Sequence, residues 1–225
     1  MQTSMVCDYQ FVPPPERLAA PNDFHAEVTK IFYQNDFREV IKISWKMENI
    51  DTSLVSAFSI IRQAHYAEST VLQTEIDDTV RELYDIVENL HDTNAVVNIS
   101  YKIFAIDTLG RAGDISLPYI VSVAPLAIIT YPLDTMKENL IKWKISGLLD
   151  RYFSQAIILK ANDTSTIWQS DSIYEWLLNV YDTKESSTSL PYSIFPLSGG
   201  EYYLCIRLEI VIPKTVSYTF KKLYL

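Results

Sequence analysis

The stretch Ile41-Lys42-Ile43-Ser44-Trp45-Lys46-Met47 decides the fold. Its apolar residues fall on every second position, with Lys42, Ser44 and Lys46 between them. Successive side chains of a strand point to opposite faces of a sheet, so this spacing predicts a strand with one face in a core. The alternation recurs at Ile99, Tyr101, Ile103 and Ala105, separated by Ser100, Lys102 and Phe104. It recurs again at Tyr202, Leu204, Ile206 and Leu208, separated by Tyr203, Cys205, Arg207 and Glu209. Only five glycines occur in 225 residues, and β-branched and aromatic residues are abundant. The chain therefore reads as all-β, built from half-buried antiparallel strands.

Three internal matches run in chain order. Ile43-Ser44-Trp45-Lys46 corresponds to Ile141-Lys142-Trp143-Lys144, and Ser69-Thr70-Val71-Leu72-Gln73-Thr74 to Ser165-Thr166-Ile167-Trp168-Gln169-Ser170. Asp78-Thr79-Val80-Arg81-Glu82-Leu83 corresponds to Asp171-Ser172-Ile173-Tyr174-Glu175-Trp176. Their offsets are 98, 96 and 93 residues, which points to a duplicated unit of roughly 100 residues. The boundary falls near Ser122-Val123-Ala124-Pro125. Tyr119-Ile120-Val121 reads as the last strand of the first copy and Ala127-Ile128-Ile129 as the first strand of the second. With almost no linker between them, a semi-rigid rod is expected.

The unit resembles a fibronectin type III domain. An early strand in that family carries V-x-V-x-W, matched by Ile41-x-Ile43-x-Trp45 and more weakly by Asn139-x-Ile141-x-Trp143. A late strand reads Y-x-V-x-V-x-A, often followed by x-[ND]-x-x-G. The first copy gives Ile99-x-Tyr101-x-Ile103-x-Ala105-x-Asp107-x-x-Gly110, with Ile99 where the family has tyrosine. The second gives Tyr202-x-Leu204-x-Ile206-x-Leu208 without the glycine turn. Pro13, Pro14 and Pro15, then Leu18, precede the first copy. The resemblance implies two consecutive fibronectin type III-like or, more broadly, immunoglobulin-like β-sandwiches at 13–124 and 125–225, after an N-terminal segment at 1–12. Asp78-Thr79-x-x-Glu82 and Asp171-Ser172-x-x-Glu175 have capping-box spacing. Val80, Leu83, Val87 and Leu90, and Ile173, Trp176 or Leu177 and Val180, continue it at helical spacing. A short helix is thus expected after the fourth strand of each copy, with a twisted edge strand as the alternative.

Charge separates the copies. The net charge is −9, which argues against a nucleic-acid partner, because such binding rests on neutralising phosphates with Lys and Arg. Residues 1–124 carry 18 acidic against 9 basic side chains, whereas residues 125–225 carry 10 of each. No stretch approaches the roughly 20 apolar residues of a membrane span, and the N-terminal segment has neither the basic start nor the apolar run of a signal peptide. Cys7 and Cys205 cannot make a disulfide framework, and Cys205 is expected on the outward face of its strand as a solvent-facing or interface thiol.

Motifs of catalysis are missing from the sequence. His25, His65 and His91 lack metal-ligand spacing and read as surface residues, there is no glycine-rich phosphate loop, and no G-x-S-x-G elbow occurs. Two sequons, at Asn98 and Asn162, read as coincidences. No cofactor is expected. Two groups stand out as candidate contact surfaces. Glu75, Asp77, Asp78, Glu82, Asp85 and Glu88 form an acidic run opposed only by Arg81, readable as a solvated face, a calcium site without the usual ligand pattern, or a docking face for a basic partner. Trp168, Tyr174 and Trp176 lie within nine residues, and the second copy holds 15 of the 28 aromatics. Core packing, a protein interface and a sugar-stacking platform are the readings of that group.

Together these features lead to the expectation of a non-enzymatic structural or assembly protein that binds protein partners, as a homo-oligomer or ring within a larger assembly. Tandem modules of this type are found in tailed-bacteriophage particles, in capsids, necks, tails and baseplates, so the resemblance implies a virion component. A cell-surface adhesion or receptor ectodomain is the alternative, although the paired cysteines and W-S-x-W-S motif of cytokine receptors are missing. A carbohydrate-binding module is the third reading.

Overall fold

The 41–47 stretch falls in an eleven-residue strand, Asp36–Lys46, with Ile41, Ile43 and Trp45 fully buried and Lys46 exposed. A computed structural model describes residues 16–47, 52–64, 70–87, 91, 95–132, 137–146, 151–161, 165–176, 183–195, 197, 200–212 and 214–223. Among them are fifteen strands and one short 3-10 turn at Thr52–Leu54. The first half contains β1 (Asn22–Tyr33), β2 (Asp36–Lys46), β3 (Val55–Ala64), β4 (Thr70–Asp77), β5 (Glu82–Asp85), β6 (Val97–Asp107) and β7 (Tyr119–Val123). The second contains β8 (Ile128–Tyr131), β9 (Leu140–Ser146), β10 (Arg151–Lys160), β11 (Thr166–Gln169), β12 (Ile173–Trp176), β13 (Thr183–Ser189), β14 (Tyr202–Ile210) and β15 (Thr215–Leu223).

The protein is all-β and forms two sandwiches in succession. In the first, a three-stranded sheet in the order β1-β2-β5 packs on strands β4-β3-β6-β7. Ile41, Ile43 and Trp45 meet Phe58, Ile60, Tyr101, Ile103 and Val123 there. In the second, β8-β9-β13 packs on β11-β10-β14-β15, and Ile141, Trp143 and Ile145 meet Tyr152, Ile158, Leu204, Ile206 and Leu208. The matched tryptophans take equivalent places: Trp45 and Trp143 each lie on the middle strand of a three-stranded sheet, with an indole N–H that has no hydrogen-bond partner among the described residues. Burying an unpaired N–H has a cost. In both cores the area of the ring outweighs it.

Two of the three internal matches fall on equivalent strands, β2 with β9 and β4 with β11. The third does not. β5 crosses to pair with β2, whereas β12 stays beside β10, in line with β11. The counterpart of β5 is β13, paired with β9. The helices expected from the capping-box spacing are not formed over 82–85 or 173–176, which are strands; residues 88–90 and 177–182 lie outside the described residues. Asp77 takes the local hydrogen bonds that a cap would have used. Its Oδ1 accepts the Thr79 N–H at 2.9 Å and the Thr79 hydroxyl at 2.5 Å, and the Val80 N–H donates to its carbonyl. The chain turns here instead of winding.

The halves share a sheet. β15 runs parallel beside β7 through Val216 and Val123, so the two larger layers join as one sheet of nine strands. A third core lies on the side of β10 and β14 that faces away from the second. Ile157, Leu159, Tyr203 and Cys205 are buried there against Phe37 and the half-buried Phe32. The cover is the tip of the β1–β2 hairpin. Gln34 and Asn35 form its two-residue turn at φ of +51° and +63°, the double positive φ that a tight type I′ hairpin requires. A twelve-residue strand spans roughly 40 Å, long enough for the base of the hairpin to close the first core while its tip closes the third. Val123 enters the first core, and Tyr218 and Phe220, of the same parity as its neighbour Val216, pack on the third. The first and third cores therefore share one face of the large sheet, and the second occupies the other.

Three hydroxyls on alternate residues of β15 pin the connection between the halves. Thr215 donates to the Ser122 carbonyl, Ser217 to Pro125 at 2.7 Å and Thr219 to Ala127 at 2.9 Å. The short connection is fastened along its length by these three hydrogen bonds.

Candidate interaction surfaces

The acidic run resolves into residues with different surroundings. Glu75 is exposed on β4, where the pairing with β3 slips between Phe58 and Ile60, and its backbone is left-handed at φ +56°. This bulge kinks the outer edge of the large sheet. Asp77 is exposed, and its hydrogen bonds from the Thr79 hydroxyl and N–H hold its carboxyl below the usual range. Asp78 is half-buried and its carbonyl accepts from the Arg81 guanidinium. Glu82 is exposed on β5 with Lys42 Nζ at 2.8 Å, which lowers the Glu82 carboxyl and raises the Lys42 ammonium. Such an exposed pair adds little to stability.

Asp85 is not part of that surface. It is 3% exposed and points between the sheets, where Arg62 Nη1 donates to both carboxylate oxygens at 2.9 and 3.0 Å and the Tyr101 hydroxyl donates at 2.7 Å. A buried carboxylate is tolerable only with this degree of pairing. Burial, with the Asp85 charge beside it, pushes the Tyr101 phenol far above its ordinary value. Asp85 is a tie between layers, misread from its sequence neighbours. Glu88 lies outside the described residues. Among the described residues no cluster of His, Cys, Asp or Glu has the makings of a metal site, and no helix is long and apolar enough to cross a membrane.

The aromatic group divides between two faces. Trp168 pairs in register with Ile158, a residue of the second core, and packs half-buried against that core. Tyr174 pairs with Phe153, of opposite parity on β10, and its ring lies 5.0 Å from the Phe153 ring while half of its surface stays exposed. Trp176 takes the register position opposite Arg151. Strand alternation, with a break at residues 170–172 between β11 and β12, separates side chains that stand close in sequence. Trp168 therefore belongs to the core, and Tyr174 is the exposed member.

Cys205 also departs from expectation. It is completely buried in the third core, and burial pushes its thiol up to about 12. It is outward-facing relative to the second sandwich only, because the hairpin tip covers that side. Tyr203 beside it donates its hydroxyl to the Asn35 carbonyl at 3.1 Å. The rings of Phe37 and Tyr203, at 5.0 Å, meet edge to face, and those of Phe37 and Phe220, at 5.5 Å, are stacked.

His25 is exposed, its Nδ1 bonded to the Tyr119 hydroxyl at 2.7 Å. His91 departs from the surface reading, with only 15% of its side chain exposed. It stands at the junction with Nδ1 2.8 Å from the Ala124 carbonyl and Nε2 3.0 Å from Oε1 of Glu39, itself 6% exposed. Glu39 also accepts the Tyr218 N–H. The sequence did carry a signal for this group: Phe37, Glu39, Ile41, Ile43 and Trp45 share one parity, which places a carboxylate on the inner face of a strand.

No family model matches the chain, and no curated protein matches it. Among solved structures it is similar to an alpha-L-rhamnosidase from Dictyoglumus thermophilum, with a TM-score of 0.38 and 8% identity over 90% of this chain. The chain spans 29% of the length of that enzyme chain.

Proposed function

We propose that this chain is a non-enzymatic assembly module, two fibronectin type III-like sandwiches fused into one rigid unit that binds protein partners within a larger particle. The observation that carries the reading is the strand order, repeated in both halves. β1-β2-β5 face β4-β3-β6-β7, and β8-β9-β13 face β11-β10-β14-β15. In a constant immunoglobulin domain the fourth strand lies in the sheet of the first, second and fifth; here it lies beside the third in both halves, as the type III resemblance implies. Fusion through β7 and β15 supports a role that needs fixed spacing rather than a hinge. A tailed-bacteriophage capsid, neck, tail or baseplate is the setting the resemblance favours, with the chain repeated around a symmetry axis. Fold analogy is the warrant for that setting.

Size-exclusion chromatography with light scattering, together with mass spectrometry of purified particles from the source, tests it. A defined oligomer or stoichiometric incorporation into particles is the expected result. A concentration-independent monomer that is missing from particles would overturn it.

A further inference from the structure

We propose that Glu39 and His91 form a proton-dependent latch that holds the two halves together, closed while one proton is shared between them and opening when it leaves. The geometry demands that proton. His91 Nδ1 faces the Ala124 carbonyl at 2.8 Å, which only accepts, so Nδ1 must carry a hydrogen. Nε2 then faces Glu39 Oε1 at 3.0 Å. If neither atom holds a proton, a negative carboxylate oxygen faces an unprotonated ring nitrogen at that distance inside the protein. With one proton, as imidazolium and carboxylate or as imidazole and carboxylic acid, the contact is attractive and the pair is neutral overall.

Among the described residues nothing else nearby takes over the role. Apart from His91 Nε2, which stands at ion-pair distance but off the axis of a hydrogen bond, Oε1 of Glu39 has no donor among the described residues, and the other oxygen accepts the Tyr218 N–H. From β1, Lys30 Nζ sits over the Tyr218 ring, 5.2 Å from its centroid. From β14, Arg207 is paired with Glu209 at 2.5 Å, and Cys205 is a buried thiol. From β15, the Tyr218 phenol is bonded to Arg207.

The position makes this pair a latch. Glu39 is on β2, His91 lies in the connection from β5 to β6, Ala124 begins the link between halves, and Tyr218 is on β15. One carboxylate and one imidazole thus tie three segments of the first half to the last strand of the second. Burial raises the Glu39 carboxyl against the opposing effect of His91. For His91, burial acts downward, but the hydrogen bond and charge of Glu39 and the Ala124 carbonyl outweigh it and raise the imidazole. Groups raised in the closed state stabilise it below their ordinary values and lose that contribution as pH rises through the raised ones. The latch therefore weakens upward from about the ordinary imidazole value near 6.5.

Amide hydrogen exchange at Tyr218 reads the latch, with the Ile43 amide in the first core as control. After correction for intrinsic exchange, Tyr218 protection should fall by up to tenfold per pH unit as pH rises above about 6.5, while Ile43 protection holds. In Glu39→Gln the amide can donate to a neutral Nε2 and accept from Tyr218, so the dependence should vanish. Equal slopes at Tyr218 in wild type and Glu39→Gln, or a flat wild-type profile, would overturn the proposal. If Glu39→Gln does not fold, the His91 imidazole titration in the wild type decides. A midpoint above 6.5 supports the latch, and one at or below 6.5 refutes it.

Discussion

Replacing Phe37 with alanine isolates the third core. Phe37 is 4% exposed, and its ring is 5.0 Å from Phe32, 5.0 Å from Tyr203 and 5.5 Å from Phe220. An aromatic side chain of this kind buries roughly 150 to 250 Å². At about 25 cal/mol per Å² its transfer is worth around 4 to 6 kcal/mol, of which the alanine methyl keeps a part. Partial collapse of the cavity and three lost ring contacts act in opposite directions, so a cost of about 3 to 5 kcal/mol is expected. With a urea m-value of about 2 kcal/mol/M the midpoint should fall by roughly 2 M. Because Phe37 is in neither sandwich core, the change should fall on the coupling between the halves. In versions that retain only Trp45 or only Trp143, fluorescence reports the first and second cores separately. Their transitions should coincide in the parent and separate in Phe37→Ala. Tyr33→Ala, at an exposed position of the same hairpin tip, should cost under about 1 kcal/mol. Midpoints that move by less than about 0.5 M with both reporters would refute the claim that the hairpin tip closes a core.

Two further substitutions test buried polar and thiol groups. Asp85→Ala leaves Arg62 and Tyr101 facing an emptied site and should destabilise by about 3 to 5 kcal/mol; calorimetry on Asp85→Ala and Arg62→Met/Asp85→Leu should show the double variant recovering part of that loss, and a double variant worse than the sum of its singles would contradict the reading. In a Cys7→Ser background, Cys205 should resist iodoacetamide at pH 8 in the folded protein and react in 6 M guanidinium, as followed by intact mass. Rapid native labelling would place the thiol at the surface.

The strands that define the two sandwiches were legible wherever alternation was strong. β2, β6 and β14 were read correctly on the face that enters the first and second cores. What alternation could not supply was the cover on the opposite face of β14. Tyr203 and Cys205 look outward until the hairpin tip folds over them from 168 residues away in sequence, as the Tyr203–Asn35 bond measures. The consecutive apolar residues Tyr202 to Ile206 were nonetheless a sign of burial on both faces. β13 escaped notice for the contrary reason, since Thr183–Ser189 is almost wholly polar and buries Ser186 alone. At β5 and β12, capping-box spacing matched a helix, but four-residue segments placed beside β2 and β10 gain ladder hydrogen bonds that an isolated short helix lacks. The candidate site fared similarly: nearness in sequence grouped Asp85 with exposed acids and Trp168 with Tyr174, and the pleat parted them.

The continuous sheet gives two members of the acidic run, Glu75 and Asp77, a location. One of its faces packs on β1-β2-β5, and the second-half part of the other packs on β8-β9-β13. In that strand order its free backbone lies along the outermost strands, β4 at one end and β11 with β12 at the other. At one end β4 presents Glu75 on a bulge, with Asp77 beyond it; at the other, β11 and β12 present Thr166, Ile167 and Tyr174. Seven interstrand steps of about 4.8 Å put these edges roughly 34 Å apart. Charge and a bulge at the β4 edge oppose the addition of a further strand; the β11 edge also slips, opposite Ile158 and Leu159, but Thr166–Gln169 carries no charged residue. If the proposed assembly proceeds by strand addition, it should use the second edge and leave the acidic one facing outward. A proline at Ile167 should then abolish oligomerisation while Glu75→Lys leaves it intact, and light scattering on the two variants separates this order from its reverse.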